Sequence, residues 1–159
     1  MERLRALFEA LELADVETFI ASGNVIFRSA HAADALERRI EAHLRQELGY
    51  AVDTFLRTPP EVAAAAGHWP FDGIDPTEAG TLYVGFLRAP PADAAREKVV
   101  GLRTDADEFA VHGREMYWFA RAGMGQSKIT GAKLEKALGM PTTLRNVTTV
   151  RKLAEKYAE

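Results

Sequence analysis

The chain contains no cysteine among its 159 residues. Without a thiol it cannot form a disulfide, a thiolate zinc site or a cysteine nucleophile, so these classes of site are excluded. No apolar run approaches the ~18 residues that a membrane-spanning helix needs. The first residues lead into an amphipathic pattern rather than the apolar core of a signal peptide. We therefore expect a cytoplasmic protein that makes no use of a membrane.

Histidine is scarce, with four residues in the chain. Their positions match no metal-ligand spacing such as His-Glu-x-x-His, so we assign no metal and no other cofactor. His112 lies beside a predicted turn and is a candidate general base, although the sequence indicates no partner for it. The others are His31, His43 and His68.

The overall composition is that of a folded globular chain, with 47% hydrophobic and 27% charged residues. The net charge of −3 is unevenly distributed. Residues 121–159 hold eight Lys or Arg against three Glu, a charge of +5, so the rest of the chain carries −8. A basic segment on an acidic body indicates either an anionic partner or solvated helix faces.

The first half is predicted to have the order α-β-β-α-β. Its clearest feature is a β-hairpin, in which β-branched and aromatic residues flank the turn residues Ser22, Gly23 and Asn24. Apolar residues at helical spacing predict helices over residues 2–13 and 33–48, and Gly49 is placed to end the second. Residues 50–57 are predicted to form a strand.

The second half is predicted to have the order β-α-β-β-α-α. A short Ala-rich helix beginning at Pro59 and a linker at residues 67–80 precede it. Its predicted elements are a strand at 81–87, a helix ending near 102, a hairpin at 108–119, and helices at 127–138 and 147–158. Asn146 is the expected N-cap of the last helix.

The two halves resemble each other, since Gly113 at the second hairpin turn follows Gly23 by 90 residues. We interpret this as an internal duplication. The predicted fold is α+β, with two ferredoxin-like (split βαβ) halves of which the first lacks its opening strand. The corresponding division is a first half with the short helix at 1–66, a linker at 67–80, and a second half with an extra C-terminal helix at 81–159.

Short motifs along nearly the whole chain carry a family resemblance. The most specific are Ser-Gly-Asn-Val at residues 22–25 and Thr-Thr-Leu-Arg-Asn at residues 142–146. The chain resembles the bacterial family called domain of unknown function 1697. The resemblance implies the duplicated ferredoxin-like architecture and no established activity. The other matching segments are 56–58, 69–71, 82–84 and 126–128.

The chain departs from that family at its start. Members usually begin with a β-strand and a Gly-rich loop before the first helix, whereas this sequence begins at the helix. A sheet without that strand would have an unpaired edge, through which a second copy or another chain could pair. A homo-oligomer formed through an open sheet edge is therefore one expectation from the sequence.

Two loops carry the candidate anion-binding residues. Residues 123–128 read Gly-Met-Gly-Gln-Ser-Lys before a predicted helix, and convergent backbone N–H groups there would bind an anion with Lys128. Residues 142–149 offer hydroxyls, an amide and the Arg145 guanidinium, a bidentate partner for phosphate. Both loops are also explained by plain helix caps and turns. The candidate site residues are Ser127, Lys128, Thr142, Thr143, Arg145 and Asn146.

Two other features have weaker functional interpretations. Ser22 could act as a nucleophile, but it lies in a hairpin turn and lacks the Gly-x-Ser-x-Gly setting. Aromatic residues on predicted strands could stack on bases, although packing of the sheet against helices is the favoured interpretation. These aromatics are Tyr83, Tyr117, Trp118 and Phe119.

The sequence thus favours a binding module for nucleic acid or a phosphate-bearing ligand, acting through its basic C-terminal segment. One alternative is an enzyme on a small phosphorylated or acyl substrate, with Ser127 or His112 reactive and Lys128 and Arg145 holding the anion. No catalytic residue is assigned, because no general base has a partner at readable spacing. The other alternative is a protein interaction module that uses the exposed sheet edge.

Overall fold

The computed structural model describes residues 2–19 and 23–157, and the chain divides into two compact units, Met1–Leu56 and Arg57–Glu159. Each unit contains its own antiparallel sheet, so the predicted α+β class is confirmed. The predicted division at residues 66 and 80 stays a prediction. Among the described residues, none of the helices combines the length and the apolar composition needed to cross a bilayer.

The first unit contains two helices and a two-stranded sheet. Its elements are α1 (Glu2–Glu9), β1 (Ala14–Phe19), β2 (Asn24–Arg28) and α2 (Ala33–Leu48). The predicted hairpin is confirmed, with Phe19 opposite Asn24 and Gly23 at a φ of 81°. Ser22 lies outside the described residues. Gly49 ends α2 at a φ of 82°, as expected.

The apolar stripes of α1 and α2 form the core of the first unit. Ile40 is fully buried and Phe8 is nearly so, and the Phe8 ring lies 5.9 Å from the Phe27 ring. The prediction that α1 extends to residue 13 is wrong. Glu12 adopts a left-handed φ of 61°, which an α-helix cannot contain.

The strand predicted at residues 50–57 is absent, and this expectation is wrong. The Thr54 and Leu56 amides donate hydrogen bonds to the carboxylates of Glu41 (2.7 Å) and Glu37 (2.9 Å) on α2. These acceptors are one helical turn apart, and the donors are two residues apart in the extended segment. Side chains of α2 therefore satisfy backbone groups that a neighbouring strand would otherwise satisfy.

The second unit contains one four-stranded antiparallel sheet in the order β4-β5-β3-β6. The hairpin of β4 and β5 and the helix that follows β3 are as predicted. The elements are α3 (Pro59–Gly67), β3 (Thr81–Phe86), α4 (Asp93–Val100), β4 (Asp107–His112), β5 (Glu115–Ala120), α5 (Gly131–Leu138), β6 (Thr143–Asn146) and α6 (Val147–Tyr157), with a 3-10 turn at Met124–Gln126.

Two details of the second half were predicted wrongly. Residues 143–146 form β6, which pairs with β3, and not a loop. Helix α5 begins at Gly131 and not at Ser127, because the Thr130 hydroxyl caps it by accepting a hydrogen bond from the Lys133 amide (3.2 Å). The expected cap of α6 is confirmed, since Asn146 Oδ1 accepts a hydrogen bond from the Thr148 amide (2.9 Å).

The proposed duplication into two ferredoxin-like halves is not confirmed. The sheets of the two units differ, with two strands in the first and four in the second. The equivalence was inferred from the two hairpin turns, and a hairpin is a local feature that occurs in many sheets. The finding supports the coarser α+β class.

The four-stranded sheet is covered on both faces. One face packs against α4 and α5 through an apolar core that includes Val99, Trp118 and Leu134. The other face carries Leu82, Val84 and Phe119, and α3 and α6 pack together over it. Arginine side chains also donate hydrogen bonds to carbonyls of the two outer strands. Arg96 donates to the Val111 carbonyl of β4 (3.2 Å), and Arg145 donates to the Leu144 carbonyl of β6 (3.0 Å).

Replacement of Gly80 tests the entry into β3. Its φ is 154°, and a Cβ there would lie 2.6 Å from Phe119 Cζ. We expect Gly80→Ala to lower the free energy of unfolding by about 2 kcal/mol, through backbone strain and displacement of the ring. Urea unfolding followed by tryptophan fluorescence measures this, because Trp69 and Trp118 both lie in the second unit.

The matched control is Gly67→Ala at the end of α3, where a Cβ would have no atom within 4 Å. This change should leave stability unchanged or raise it by up to about 1 kcal/mol. Equal effects of the two substitutions would contradict the role assigned to Gly80.

Candidate functional site

The structure brings two predicted site residues together on β6. Arg145 Nη1 donates a hydrogen bond to Thr143 Oγ1 at 2.6 Å, and also to the Leu144 carbonyl. Alternate residues of a strand share a face, so Thr143 and Arg145 both lie on the face that α3 and α6 cover. Burial lowers the pKa of the Arg145 guanidinium, which nevertheless stays charged at physiological pH.

Two further predicted residues lie at the ends of β6. The Thr142 hydroxyl donates to the Phe86 carbonyl (3.0 Å), and its amide donates to Glu135 (3.0 Å). Asn146 is exposed at the start of α6, where it caps the helix. Both side chains therefore have structural partners, and at Thr142 the neighbouring carboxylate would repel an anion.

Ser127 and Lys128 have different surroundings from each other. The Ser127 hydroxyl donates to Asp107 Oδ2 (3.0 Å) and accepts from the Ile129 amide (3.0 Å). Lys128 is exposed. That Lys128 and Arg145 hold one anion together, as in the enzyme alternative, stays a hypothesis.

Asp107 organises the loop that contains Ser127. Its side chain is 2% exposed and accepts hydrogen bonds from Trp118 Nε1 (2.8 Å), Thr104 Oγ1 (2.7 Å) and Ser127. A buried carboxylate is tolerated when donors surround it in this way. Ser127 is thus one of the donors that stabilise Asp107, which is a structural use of its hydroxyl.

Helix α6 presents a basic face that continues from β6. Arg151, Lys152 and Lys156 are exposed on α6. Lys152 and Lys156 are four residues apart and therefore neighbours on the helix surface, whereas Arg151 has Glu155 four residues after it. The buried residues Val147 and Val150 lie on the opposite side, toward the sheet. The exposed α6 face and the adjoining edge strand therefore place several cations on one side of the second unit.

The sequence did not indicate a buried ion pair on the face of the sheet that α3 and α6 cover. Arg57 is 5% exposed in its side chain and lies 3.0 Å from Glu115 Oε2 on β5. Its guanidinium also donates to the carbonyls of Leu87 (2.6 Å) and Arg114 (2.8 Å), and lies 5.2 Å from the Phe86 ring centre. Burial lowers the pKa of Arg57, while the hydrogen bond to Glu115 acts in the opposite direction.

Two histidines that are far apart in sequence are in contact on that same face. The rings of His68 and His112 stack with centroids 4.1 Å apart and an interplanar angle of 25°. The edge of the Tyr117 ring lies nearby, 5.6 Å from the His68 centroid, and the Tyr117 hydroxyl donates to the Ala65 carbonyl at 3.0 Å. Burial, with a smaller effect of Glu115, raises the pKa of Tyr117 well above its usual value.

Neither the Arg57–Glu115 ion pair nor the His68–His112 stack could be predicted from spacing in the sequence. Arg57 and Glu115 are 58 residues apart, and His68 and His112 are 44 residues apart. The available signal was the alternation in β5, which places Glu115 and Tyr117 on one face. It gives no indication of what covers that face. The described residues contain no cluster of three or more His, Asp or Glu side chains that could hold a metal ion.

The aromatic residues of β5 are part of the core. Tyr117, Trp118 and Phe119 are each at most 2% exposed, so bases could not stack on them. The packing interpretation is therefore confirmed, and the stacking platform is excluded for these three residues.

Comparisons with known proteins place this α+β chain in a family. The model of the protein of unknown function family DUF1697 matches residues 1–117, and the chain belongs to this family. A similar solved structure is that of the conserved bacterial protein SP0830 from Streptococcus pneumoniae. It is 18% identical, with a TM-score of 0.70 over all of this chain and 89% of that one, and the likeness shows the fold. No curated protein matches the sequence.

Removal of the Arg57 guanidinium tests the buried ion pair between Arg57 and Glu115. Arg57→Ala leaves the Glu115 carboxylate and two carbonyls without their donor, so we expect the free energy of unfolding to fall by about 3 kcal/mol. The matched control is Arg103→Ala, which removes an ion pair whose arginine is 66% exposed. The control should cost about 0.5 kcal/mol or less. If urea unfolding showed a similar loss of unfolding free energy for both variants, the buried contacts of Arg57 would contribute no more to stability than an exposed ion pair does.

Asp107→Asn tests the buried carboxylate. The amide keeps one acceptor oxygen, but its nitrogen cannot accept from the hydroxyls of Thr104 and Ser127. We expect a loss of about 2 kcal/mol in the free energy of unfolding and a changed Trp118 emission spectrum. Ser127→Ala, which removes one donor, should cost about 1 kcal/mol. Unchanged stability and emission in Asp107→Asn would rule out this role.

Proposed function

We propose that the protein binds a polyanion, with nucleic acid as the favoured class, through the exposed face of α6 and the adjoining residues of β6. The observation that supports this is the basic α6 face, on which three cations accompany a single carboxylate. Closely spaced cations of this kind bind phosphodiester backbones mainly by releasing counterions.

The adjoining strand adds a positioned cation. Arg145 is held by Thr143 and by the Leu144 carbonyl, so less side-chain entropy is lost when it binds an anion. Asn146 is exposed between Arg145 and the α6 face. Of the six candidate residues, Arg145 and Asn146 fit this proposal best, because they adjoin the α6 face. Lys128 is exposed, but it lies beside Ser127 in the loop before α5. Ser127 and Thr142 fit it less well, because each contacts a carboxylate.

The charge distribution also favours a restricted site. The net charge outside residues 121–159 is −8, which repels nucleic acid. Binding would therefore be confined to the basic side of the second unit. The family match ends at residue 117, so this surface lies outside the matched residues, and the proposal depends on this chain alone. A cytoplasmic location is part of the proposal.

The catalytic alternative is less well supported. Ser127 contacts Asp107 on the α4–α5 face of the sheet, whereas His112 stacks on His68 on the opposite face. The two candidate reactive residues therefore lie on different faces.

The interaction alternative has one observation in its favour. Within the described residues, β1 and β2 pair with each other and with no other strand, so both are edge strands of their sheet. A monomer by light scattering at high protein concentration would count against it.

Fluorescence anisotropy with labelled single-stranded and duplex oligonucleotides across a salt series tests the proposed function. The wild-type affinity should fall steeply as salt rises. Arg151→Ala/Lys152→Ala should weaken binding at least tenfold at low salt. It should also lower the slope of log affinity against log salt by about 1.4 to 1.8, since two phosphate contacts are lost.

The matched control is Lys98→Ala/Arg103→Ala, which removes the same charge from exposed positions on and just after α4. It should bind nearly as the wild type does. Equal weakening in both variants would indicate a general charge effect and would contradict the assigned surface. Absence of binding at low salt would overturn the proposal as a whole.

A further inference from the structure

The C-terminal end of α3 is attached to the four-stranded sheet at a few places. Ala65 and Ala66 are buried, the Ala65 carbonyl accepts from the Tyr117 hydroxyl, and His68 follows the helix and stacks on His112. Helix α3 has nine residues. A helix of this length is marginal in isolation and depends on such contacts.

The stack joins two groups that gain charge in the same pH range. An unperturbed imidazole titrates near pH 6.5, so a histidine side chain in general gains charge as the pH falls from neutral into the mildly acidic range. Neutral rings attract each other by stacking, whereas two imidazolium rings at 4.1 Å repel each other. The same contact is therefore favourable in one protonation state and unfavourable in the other.

Few charges around the stack offset this repulsion. Glu115 is opposite His112 in the β4–β5 register, but it is already paired with Arg57. On α3, Glu61 is paired with Arg114 (2.7 Å). On β4, Glu108 is paired with Arg103 and Arg121. The other charged groups on the strands and helices of this face are Arg145 of β6 and the exposed Arg151, Lys152, Glu155 and Lys156 of α6.

We propose that the His68–His112 stack is a proton-sensitive contact, which holds the C-terminal end of α3 on the sheet at neutral pH and loosens it when both rings are protonated. This inference is independent of the proposed nucleic-acid binding. It assigns the two histidines a regulatory role, in which acidification shifts the population of attached α3.

The surroundings of His68 determine whether acid favours or disfavours attachment of α3 to the sheet. Burial and the neighbouring His112 lower the pKa of His68, and Glu115 acts in the opposite direction with a smaller effect. A ring that binds its proton less readily on the sheet than after detachment favours detachment in acid. Attachment is therefore fully present above the ordinary histidine pKa of about 6.5, and it is lost as the pH falls below that value toward the lowered pKa of His68.

Amide hydrogen exchange of the last turn of α3 tests the proposal. After correction for the intrinsic exchange rate, protection at residues 64–67 should fall about fivefold between pH 7.5 and 5.5 in the wild-type protein, the size expected for two like charges at this separation. His112→Gln and His68→Gln should each abolish most of that fall. The control His31→Gln, at an exposed histidine of the first unit, should behave as the wild type does.

Titration of the imidazole C–H resonances in the wild-type protein gives a second readout that needs no folded variant. The midpoint of His68 should lie below the ordinary histidine value and should rise when His112 is replaced by Gln. A protection that is independent of pH would overturn the proposal, as would an equal fall in the wild type and in both glutamine variants. Independent titration of the two rings would also overturn it.

Discussion

The second unit depends on how the Arg57 guanidinium is accommodated at the end of its sheet. The buried cation is neutralised by Glu115 and bound by the carbonyls of Leu87 and Arg114. Burial of a charge is costly unless donors and acceptors are matched in this way. Arg57 lies two residues before α3, so its contacts hold the start of α3, which Thr58 caps, at this end of the sheet, and α3 in turn packs with α6. The exposed basic residues lie on α6, and His68 of the histidine stack follows α3.

The two faces of the four-stranded sheet have different chemistry although the strands are the same. The face toward α4 and α5 is apolar apart from Asp107, which is surrounded by donors. The face toward α3 and α6 contains Arg57 and Arg145, Glu115, two histidines and a tyrosine hydroxyl, in contact with one another or with the backbone. Titratable groups are thus concentrated on one face, and protonation would affect the helices on that face first.

Features set by neighbouring residues could be predicted from the sequence, and features set by distant residues could not. The hairpin at Gly23 and the end of α2 at Gly49 follow from the left-handed φ that glycine tolerates. The segment at 50–57 has strand-forming residues, but Glu37 and Glu41 of α2 take up its amides. Strand β6 has four residues, too few for a period, and its pairing with β3 depends on residues about 60 positions away.

The candidate site shows the same limit. The composition of residues 121–159 correctly drew attention to an excess of cations, but which of them are exposed together depends on the helical phase of α6. The sequence also gave no sign that Ser127 and Thr142 have carboxylates as neighbours, because Asp107 and Glu135 come from β4 and α5. Contacts between elements, and not residue types, decide what each side chain can bind.

The arginines at the outer strands have a consequence for behaviour at high concentration. Arg96 and Arg145 each donate to a carbonyl of an edge strand, Val111 on β4 and Leu144 on β6. An incoming strand from a second copy would have to displace a guanidinium and bring its own backbone beside a positive charge. Exposed edges are common starting points for aggregation, and charged side chains discourage it. The residue type that we propose for anion binding therefore also discourages edge-to-edge pairing of the four-stranded sheet.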